Sequence, residues 1–400
     1  MSVLSGKEIV LGVTGGIAAY KACEIVRELR KESASVRVIL TASGAQFITP
    51  LTLQALSKNP VAMDLFNLIS ESEIGHISLA QRAQLMIIAP ATANILGKIR
   101  NGIADDMLST VAMATAAPVL FAPAMNTQMY ASPAVRENLK VLMSRGFHFV
   151  EPDEGELACG AVGPGRLAEV GKILEMARIV LSEKLLAGRT VVVAAGPTRE
   201  HLDPVRFLSN RASGKMGFAM ARAARRFGAE VTLVSGPTAL PDPLFVRTVR
   251  VGTAEEMFSA VSRAAKGADA VVLCAAVADF KVRQAAPRKI KKDSFDYTVK
   301  LAPTVDILET LGKAKGKRIL VGFAAETEDL ERNAREKMRR KNLDAIVAND
   351  VSRTDVGFES ENNEVRLLFS DGEIRDFALD TKEEIAAGIW RAMAGKLFRR

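Results

Sequence analysis

The chain has 400 residues, a length that fits two globular domains better than one. Apolar residues make up 48% and charged residues 25%, so each half can bury a core, and disordered, collagen-like and disulfide-framework proteins are excluded. The net charge of +8 suits nucleic acid and equally suits small phosphorylated ligands. Because aromatic residues amount to 5% and basic tracts are short, we expect phosphorylated ligands and no nucleic-acid partner.

The cysteines and the apolar runs exclude further classes of protein. Cys23, Cys159 and Cys274 are far apart and form no CxxC pair, so neither a disulfide framework nor a zinc site is expected. No uncharged apolar run reaches the ~18 residues of a membrane helix, and the first residues lack the layout of a signal peptide. These features predict a cytoplasmic protein with no membrane partner.

In the first half, short apolar runs alternate with amphipathic patterns. Residues 9–13 predict a strand, 14–16 a glycine turn and 36–40 the next strand. Between them, a helix is predicted by apolar residues at helical spacing: Ala22, Ile25, Val26 and Leu29. Residues 85–89 and 119–122 predict further strands, each ending at an Ala-Pro step because proline lacks the N–H of a strand. This alternation is typical of a parallel sheet with crossover helices.

The second half repeats this layout. Strands are predicted over residues 190–194, 230–234, 270–273, 319–321 and 345–348, and a helix over 213–227. Residues 364–369 and 374–378 predict a β-hairpin. A predicted helix over 168–186 precedes Gly188, so we predict domains over 1–187 and 188–400. The fold class is therefore α/β, with two doubly wound parallel-sheet (Rossmann-like) domains, the second with a small hairpin.

Several residues of the first half are candidates for chemistry, and each has a structural alternative. Gly15 and Gly16 leave room for a phosphate between a strand and a helix or form only a tight turn, and their pattern is not GxGxxG. His76, before a predicted helix, is a catalytic or a capping residue. Asn126, beyond a strand end, holds a carboxylate or caps the next turn. Cys159 lies in a glycine-rich loop, where a reactive thiol is favoured over core packing.

Ordered motifs in both halves resemble known proteins. In the first half they cover residues 15–21, His76, 90–94, 104–106, 123–126 and 158–160, and they resemble the flavin-containing cysteine decarboxylases. In the second half they cover residues 195–200, 209–217, 275–279, 289–292 and 322–327. Together, over about residues 7–370, they resemble the bacterial bifunctional phosphopantothenoylcysteine decarboxylase / phosphopantothenate–cysteine ligases of coenzyme A biosynthesis.

The resemblance implies that the first domain is flavoprotein-like and uses FMN, because loss of CO2 from a cysteine unit leaves electrons that no side chain can delocalise. The substrate thiol is expected to become a thioaldehyde, CO2 to leave and the product to be reduced, with no net redox change. His76 is implied as the base or as a catalytic group beside the flavin, Asn126 as the holder of the carboxylate and Cys159 as the proton donor. The cofactor residues implied, at a site between subunits of a trimer, are Gly15, Gly16, Ile17, Thr41 and Ser43.

For the second domain, which is implied to bind a nucleotide, the resemblance implies a ligase. CTP activates 4′-phosphopantothenate as an acyl-cytidylate, and cysteine then displaces CMP. Mg²⁺ and Lys289 offset negative charge, and Asn210 either orients the acyl carbonyl or caps the next helix. No metal ligand is identified, and the implied assembly adds dimers of this domain. The substrate and nucleotide residues implied are Ala275, Asp279, Lys289, Val305, Asp306, Ile307, Leu308, Phe323, Lys337 and Lys341. The family pattern differs here at Ala212 and at Thr304-Val305.

Three other functions compete with this interpretation. A nicotinamide-dependent oxidoreductase needs a GxGxxG turn and an acidic residue after the second strand, where Thr41 stands, and NADH binding by calorimetry would support it. A nucleic-acid-binding protein rests on the +8 charge alone and predicts binding that weakens steeply with salt. A flavin decarboxylase acting on peptide cysteines leaves the second half unexplained.

Overall fold

The computed structural model describes residues 2–65, 75–156, 160, 162–291, 298–326, 328–350 and 359–398, without the side chains of Glu326 and Asp350. The chain divides into two compact units, Met1–Ser182 and Glu183–Arg400. Each unit contains a sheet that is parallel throughout or for the most part, flanked by helices, which confirms the predicted α/β fold class.

The first unit is built on a parallel sheet whose strand order is β3-β2-β1-β4-β5-β6 over the described residues. These strands are β1 (Glu8–Val13), β2 (Ser35–Leu40), β3 (Val61–Ala62), β4 (Leu85–Ala91), β5 (Val119–Pro123) and β6 (His148–Phe149). A separate antiparallel hairpin pairs β7 (Asp153–Glu156) with β8 (Val162–Arg166). Our prediction that β4 ends at Ala89 was wrong, because Ala91 still pairs with Pro123 of β5 after a shift in register.

Helices flank this sheet, and their buried faces follow the apolar spacing of the sequence. The α-helices are α1 (Ala22–Lys31), α2 (Pro50–Ser57), α3 (His76–Arg82), α4 (Ala93–Asn101), α5 (Met107–Ala114), α6 (Thr127–Ala131), α7 (Pro133–Ser144) and α8 (Val170–Leu181). The predicted face of α1 is fully buried, which confirms that pattern. The helix predicted over 168–186 is shorter in the structure, since the backbone turns extended at Ser182.

The second unit has a larger sheet with the order β13-β12-β9-β14-β17-β18-β19-β20 over the described residues. Its strands are β9 (Thr190–Ala195), β12 (Glu230–Ser235), β13 (Arg247–Arg250), β14 (Ala270–Leu273), β17 (Ile319–Glu326), β18 (Ala345–Asp350), β19 (Asn362–Phe369) and β20 (Ile374–Thr381). Strands β19 and β20 form the predicted hairpin, and β19 joins it to the sheet by antiparallel pairing with β18. Two short ribbons pair β10 (Arg199–His201) with β11 (Phe207–Ser209) and β15 (Phe280–Val282) with β16 (Leu301–Pro303).

The helices of the second unit cover both faces of its sheet. They are α9 (Lys215–Arg226), α10 (Ala254–Ala264), α11 (Ile307–Lys313), α12 (Leu330–Arg340) and α13 (Lys382–Leu397). Helices α9 and α13 pack on one face, around Trp390, whose indole N–H donates to the Met220 carbonyl at 2.9 Å. Helices α10, α11 and α12 pack on the other face. Helix α9 begins at Lys215 rather than at the predicted Ser213, because Gly214 has a φ of +84°.

Both sheets reverse their strand order beside the first strand of the unit, between β1 and β4 and between β9 and β14. In open α/β sheets, ligands bind outside the carboxyl ends of the strands at such a reversal. The topology therefore predicts one ligand site in each unit. None of the described helices is long and apolar enough to cross a membrane.

Candidate functional site

The strand reversal of the first unit is held together by Thr14, which follows β1 and is buried. Its hydroxyl donates to the Pro90 carbonyl at 2.7 Å and accepts from the Thr92 backbone N–H at 3.3 Å. Because Pro90 and Thr92 lie at the end of β4, the turns beyond β1 and β4 are fixed against each other. The carboxyl edge of the sheet is thus preorganised at the point where a ligand is expected.

The predicted cofactor residues lie together at this edge. A Cβ on Gly15 would overlap the Ser43 side chain and would lie 2.9 Å from the Ser43 backbone, so only glycine allows these two turns to touch. Thr41 braces the turn after β2, since its hydroxyl donates to the Val13 carbonyl at 3.3 Å and accepts from the Gly44 N–H at 3.1 Å.

Beyond Gly15 the turn is open. The atom nearest to a Cβ on Gly16 is 4.0 Å away, and Ile17, the first residue of a 3₁₀ helix, is 62% exposed. The first N–H groups of a helix have no acceptor within it, so this turn offers backbone donors and space for a phosphate. These residues fit the phosphate end of a flavin nucleotide.

Asn126 follows β5 at the same edge. Its side-chain oxygen accepts from the Gln128 N–H at 2.8 Å, so it does cap α6, the structural alternative raised for it. The β7–β8 hairpin lies against this segment, because the Met125 N–H donates to the Gly165 carbonyl at 2.9 Å and a Cβ on Gly165 would overlap the Met125 oxygen. Cys159 belongs to the chain between β7 and β8 and lies outside the described residues.

His76 is the first residue of α3 and is half-buried. At the other end of α3, the Arg82 guanidinium pairs with Glu8 at 3.2 Å, and Glu8 begins β1. That ion pair fixes the last turn of α3 at the amino edge of the sheet, so the helix begins, at His76, on the side of the carboxyl edge. Asn126 and the glycine turn follow strands that end at that edge.

The acidic pair in the 104–106 motif has a structural role. Asp106 caps α5, and its carboxylate accepts from the Lys98 ammonium at 2.8 Å and from the Ser109 N–H at 2.8 Å. Burial disfavours the charged carboxylate, but these two donors outweigh burial and hold the pKa of Asp106 below its ordinary value. Asp106 is therefore a charged cap at neutral pH.

In the second unit, a cavity of about 800 Å³ lies at the carboxyl edge of the sheet. It gathers, from distant parts of the sequence, nearly all of the predicted ligase residues, which are Asn210, Ala275, Asp279, Val305, Asp306, Ile307, Leu308, Phe323, Lys337 and Lys341. Its volume suits a nucleotide-sized ligand.

Asn210 helps to shape this cavity. Its side-chain amide donates to the Ala276 carbonyl at 2.9 Å, and Ala276 in turn donates its N–H to the Gly196 carbonyl at 3.0 Å. These bonds join the turns beyond β9 and β14. The alternative that Asn210 caps helix α9 was wrong, because the N-cap is Gly214, without a side-chain hydrogen bond.

The two predicted phosphate lysines are held by partners on the cavity wall. The Lys337 ammonium donates to the Phe323 carbonyl at 2.9 Å, and the Lys341 ammonium lies 2.6 Å from the Asp306 carboxylate. Burial opposes the charge of Asp306, but Lys341 and the Glu309 N–H outweigh burial and lower the Asp306 pKa. Both lysines thus point into the cavity from the end of α12.

Sequence reasoning missed other lining residues, namely Lys215, Cys274, Asn349, Asn363 and Lys382. Cys274 packs against the core and also lines the cavity. Burial raises its pKa to about 12, so its thiol stays protonated and unreactive. Lys215 lies within the recognised motif over 209–217, but Lys382 has no local motif to distinguish it from a surface lysine.

Lys289 is exposed and is not among the residues that line the cavity. Its neighbour Ile290 donates its N–H to the Asp203 carboxylate at 3.1 Å and accepts from Arg206 at 2.8 Å. The Arg206 guanidinium holds the pKa of Asp203 below its ordinary value, so this anchor is an ion pair at neutral pH. The segment of Lys289 is therefore fixed beside the β10–β11 ribbon.

Among the described residues, no group of three or more His, Cys, Asp or Glu side chains is close enough to hold a metal ion. The cavity does contain two aspartates, Asp279 and Asp306. Mg²⁺ at phosphate-transfer sites takes one or two carboxylates together with substrate phosphates rather than a full protein cage. The donor set therefore fits a Mg²⁺ ion that arrives with a nucleotide.

Two family models match the chain almost end to end. The flavoprotein family matches residues 2–181, and the family described as the DNA/pantothenate metabolism flavoprotein C-terminal domain matches residues 186–397.

Curated relatives span the whole length. The coenzyme A biosynthesis bifunctional protein CoaBC of Bacillus subtilis (strain 168) is 46% identical over 396 residues, covering 98% of this chain and 98% of that protein. The protein of the same name from Escherichia coli (strain K12) is 49% identical over 385 residues, covering 95% of each chain.

Solved structures match single units. The C-terminal domain of a CoaBC protein is 42% identical over 55% of this chain and 100% of that chain, with a TM-score of 0.48. A PPC decarboxylase mutant complexed with pantothenoylaminoethenethiol is 31% identical over 44% of this chain and 97% of that chain, with a TM-score of 0.39.

Proposed function

This chain belongs to the family of coenzyme A biosynthesis bifunctional proteins, and we propose that its two units catalyse consecutive steps. The second unit joins 4′-phosphopantothenate to cysteine at the expense of CTP. The first unit then removes CO2 from 4′-phosphopantothenoylcysteine and gives 4′-phosphopantetheine. The observation that supports this most directly is the cavity of about 800 Å³, which collects the predicted ligase residues at the strand reversal of the second unit.

The ligase must overcome the poor reactivity of a carboxylate toward an amine. The carboxylate of 4′-phosphopantothenate attacks the α-phosphorus of CTP, pyrophosphate leaves and an acyl-cytidylate forms. The cysteine amine then attacks the acyl carbon, and CMP leaves. In our proposal Phe323, Lys337 and Lys341 bind the nucleotide, and the Asn210 amide orients the acyl carbonyl.

Negative charge accumulates in both ligase steps, and cations stabilise it. Lys337 and Lys341 supply positive charge from the cavity wall, and we propose that Mg²⁺ is bound between the nucleotide phosphates and a cavity carboxylate. Lys289, on its exposed segment, is proposed as the cation that acts on the transferring group.

The decarboxylase unit is proposed to bind FMN at the turns formed by Gly15, Gly16, Ile17, Thr41 and Ser43. Bound FMN supplies a reversible two-electron oxidation that no amino-acid side chain provides. The chain's own groups bind and move protons: Asn126 holds the substrate carboxylate, His76 accepts a proton, and Cys159 donates a proton to the product carbon. Support comes from the shared sheet edge of His76, Asn126 and the glycine turn, and from the flavoprotein family match.

We propose a cytoplasmic homo-oligomer assembled from trimers of the first unit and dimers of the second. Large apolar side chains are exposed on the first unit at Ile17, Tyr20 and Leu51. On the second unit they cluster on the short ribbons, at Phe207 and Phe280. Exposed apolar surface of this kind is typical of protein–protein contacts.

One incubation tests the proposal. With 4′-phosphopantothenate, cysteine, CTP and Mg²⁺, the purified protein is expected to form 4′-phosphopantetheine, detected by mass spectrometry. CMP release must depend on both 4′-phosphopantothenate and cysteine. The purified protein must be yellow or become yellow when FMN is added. A colourless protein that never takes up FMN would refute the decarboxylase half, and CMP release independent of 4′-phosphopantothenate would refute the ligase half.

A further inference from the structure

A second large cavity lies at the amino edge of the sheet of the second unit, whereas the ligase cavity lies at the carboxyl edge. Its volume is about 730 Å³, which is enough for a nucleotide-sized ligand. It is lined by the first residues of β9, β12 and β13, which are Thr190, Glu230 and Arg247. Two further arginines line it, Arg225 near the end of α9 and Arg263 near the end of α10.

The space between α10 and the sheet stays open because the side chains of the helix are small there. Thr232 pairs with Arg247 across β12 and β13, and Val234, two residues after Thr232, packs in the core that α10 covers. Because side chains alternate along a strand, Thr232 and Arg247 lie on the face under α10. The helix lines this part of the cavity with Ala260 and Ala264, which are too short to fill it.

The charged side chains of this cavity are left without ion-pair partners in the described part of the chain. Arg247, Arg263 and Glu230 form neither an ion pair nor a side-chain hydrogen bond with any described residue. Arg225 donates to the Ala229 carbonyl at 3.3 Å, and its buried Nε has no acceptor among the described residues. Three guanidinium groups and one carboxylate give the cavity a net positive charge, which an anionic ligand would neutralise.

Two of these arginines have a structural alternative, and the third does not. Arg225 and Arg263 lie in the last turns of α9 and α10, where a cation stabilises the negative end of the helix dipole. Arg247 begins β13, the edge strand of the sheet, and strands have only small net dipoles. Helix dipoles therefore do not account for all of the positive charge.

Phe245 adds an aromatic surface to the same cavity. It precedes β13 with a φ of +60°, a left-handed conformation that is strained for a bulky side chain. Among the described residues its ring belongs to neither hydrophobic core of the second unit, whereas Val246, the next residue, packs against the core beneath α9 and α13. Strained residues cluster at ligand-binding sites, so this ring is a candidate contact for a ligand.

We propose that this cavity binds a nucleotide, at a site separate from the ligase cavity. The arginines bind its phosphates, because a guanidinium group matches the geometry of phosphate oxygens. The Phe245 ring stacks on the base, and the Glu230 carboxylate accepts hydrogen bonds from the ribose hydroxyls. None of the proposed catalytic residues that the structure describes lines this cavity, so a nucleotide bound here is not positioned to react.

Binding of ADP to the full chain tests this site. Hydrogen exchange read by mass spectrometry locates the ligand, and ADP is expected to protect residues 243–249 and the end of α10. Arg247→Gln should weaken ADP binding, measured by calorimetry, about ten-fold because a charge-assisted bond is lost. Phe245→Gly should weaken binding by about the same factor because stacking on the base is lost, and glycine adopts this φ without strain.

Matched variants separate this cavity from the ligase cavity and from general effects of charge. Arg339→Gln removes an exposed arginine from the last turn of α12, and it should bind ADP like the parent. Phe245→Tyr keeps an aromatic ring and should retain binding. Lys337→Gln changes the ligase cavity and should leave the protection of residues 243–249 unchanged. Thermal unfolding temperatures establish that each variant is folded.

The nucleotide site is refuted if neither ADP nor CDP protects residues 243–249, or if Arg247→Gln and Phe245→Gly both fold and bind ADP like the parent. It is also refuted if inorganic pyrophosphate binds there as tightly as ADP, because the base then contributes nothing. A preference for ADP or for CDP supports the site and identifies the base. These measurements need no turnover, so failure of the proposed ligase reaction would leave their outcome unaffected.

Discussion

The two units share one strand order and differ in the side chains that surround the strand reversal. In the first unit the site residues Gly15, Thr41, Ser43 and Asn126 carry no charge. In the second unit the corresponding edge is a cavity bordered by four lysines, of which α12, α9 and α13 contribute one each, and Lys341 follows the end of α12. The topology therefore gives both units the same place for a ligand, and the residues just beyond the strands give each place its own charge. An uncharged edge with exposed backbone suits a flavin, whereas a cationic edge suits phosphate transfer.

The largest effect that would separate the two units is expected from Cys159→Ser. Loss of the proton donor should slow decarboxylation by about a hundred-fold or more, because a positioned general acid accelerates its reaction step by at least this factor. CMP release by the second unit should be unchanged. Mass spectrometry measures both activities, because phosphopantothenoylcysteine is the product of the ligase and 4′-phosphopantetheine is the product of the decarboxylase. Cys23→Ser, on the half-buried side of α1, is the matched control. Loss of both steps in Cys159→Ser would contradict two separate sites.

Lys289→Gln is expected to impair the ligase step and to spare the decarboxylase step, the reverse of Cys159→Ser. Removal of a cation that stabilises the transferring group should reduce CMP release by roughly a hundred-fold, while decarboxylation of supplied phosphopantothenoylcysteine continues. Lys300→Gln, next to β16, is the control for a general loss of charge on this part of the surface. Equal activity of the two variants would mean that Lys289 acts only as a surface residue.

A smaller effect is expected from Gly15→Ala. The new methyl group would overlap Ser43 and force the turns after β1 and β2 apart, so FMN affinity should fall about ten-fold while ligase activity is retained. Absorbance of the bound flavin measures the change. Gly171→Ala in α8, whose Cβ would meet no atom within 4 Å, should keep the yellow colour. Full FMN binding by Gly15→Ala would remove this turn from the proposed site.

The smallest effect concerns the Asp306–Lys341 pair. The folded-state pKa of Asp306 is lowered, so its charge stabilises the fold above the unfolded pKa of about 3.9, and this contribution disappears as pH falls through the folded value. Asp306→Asn keeps the cap on α11 but loses the charge. At pH 7 we expect it to destabilise by less than about 1 kcal/mol, because the aspartate is partly exposed.

Denaturant titrations at pH 7 and at low pH measure this difference, with the exposed pair variant Asp376→Asn as the control. The gap between the parent and Asp306→Asn should close as the pH falls below about 4. A gap that widens at low pH would show that the carboxylate is not held charged by Lys341.

Local patterns predicted most of the scaffold, and long-range packing determined what they missed. Apolar spacing located α1, and apolar runs located most strands of the two large sheets, because burial is visible in the local sequence. The extension of β4 through Pro90 depends on its register with β5, and no local signal encodes that register. Lys382 was missed for the same reason, since only the packing of α9 against α13 brings it to Lys215.

Packing of α13 against α9 also gives the second unit a fluorescence signal of its own. Trp390 is the only tryptophan of the chain, and it is fully buried between α9 and α13 with its N–H bonded to Met220. Intrinsic tryptophan fluorescence therefore reports the unfolding of the second unit alone, while the first unit has no such chromophore. Comparison of that emission with the colour of bound flavin gives two independent melting curves from one sample.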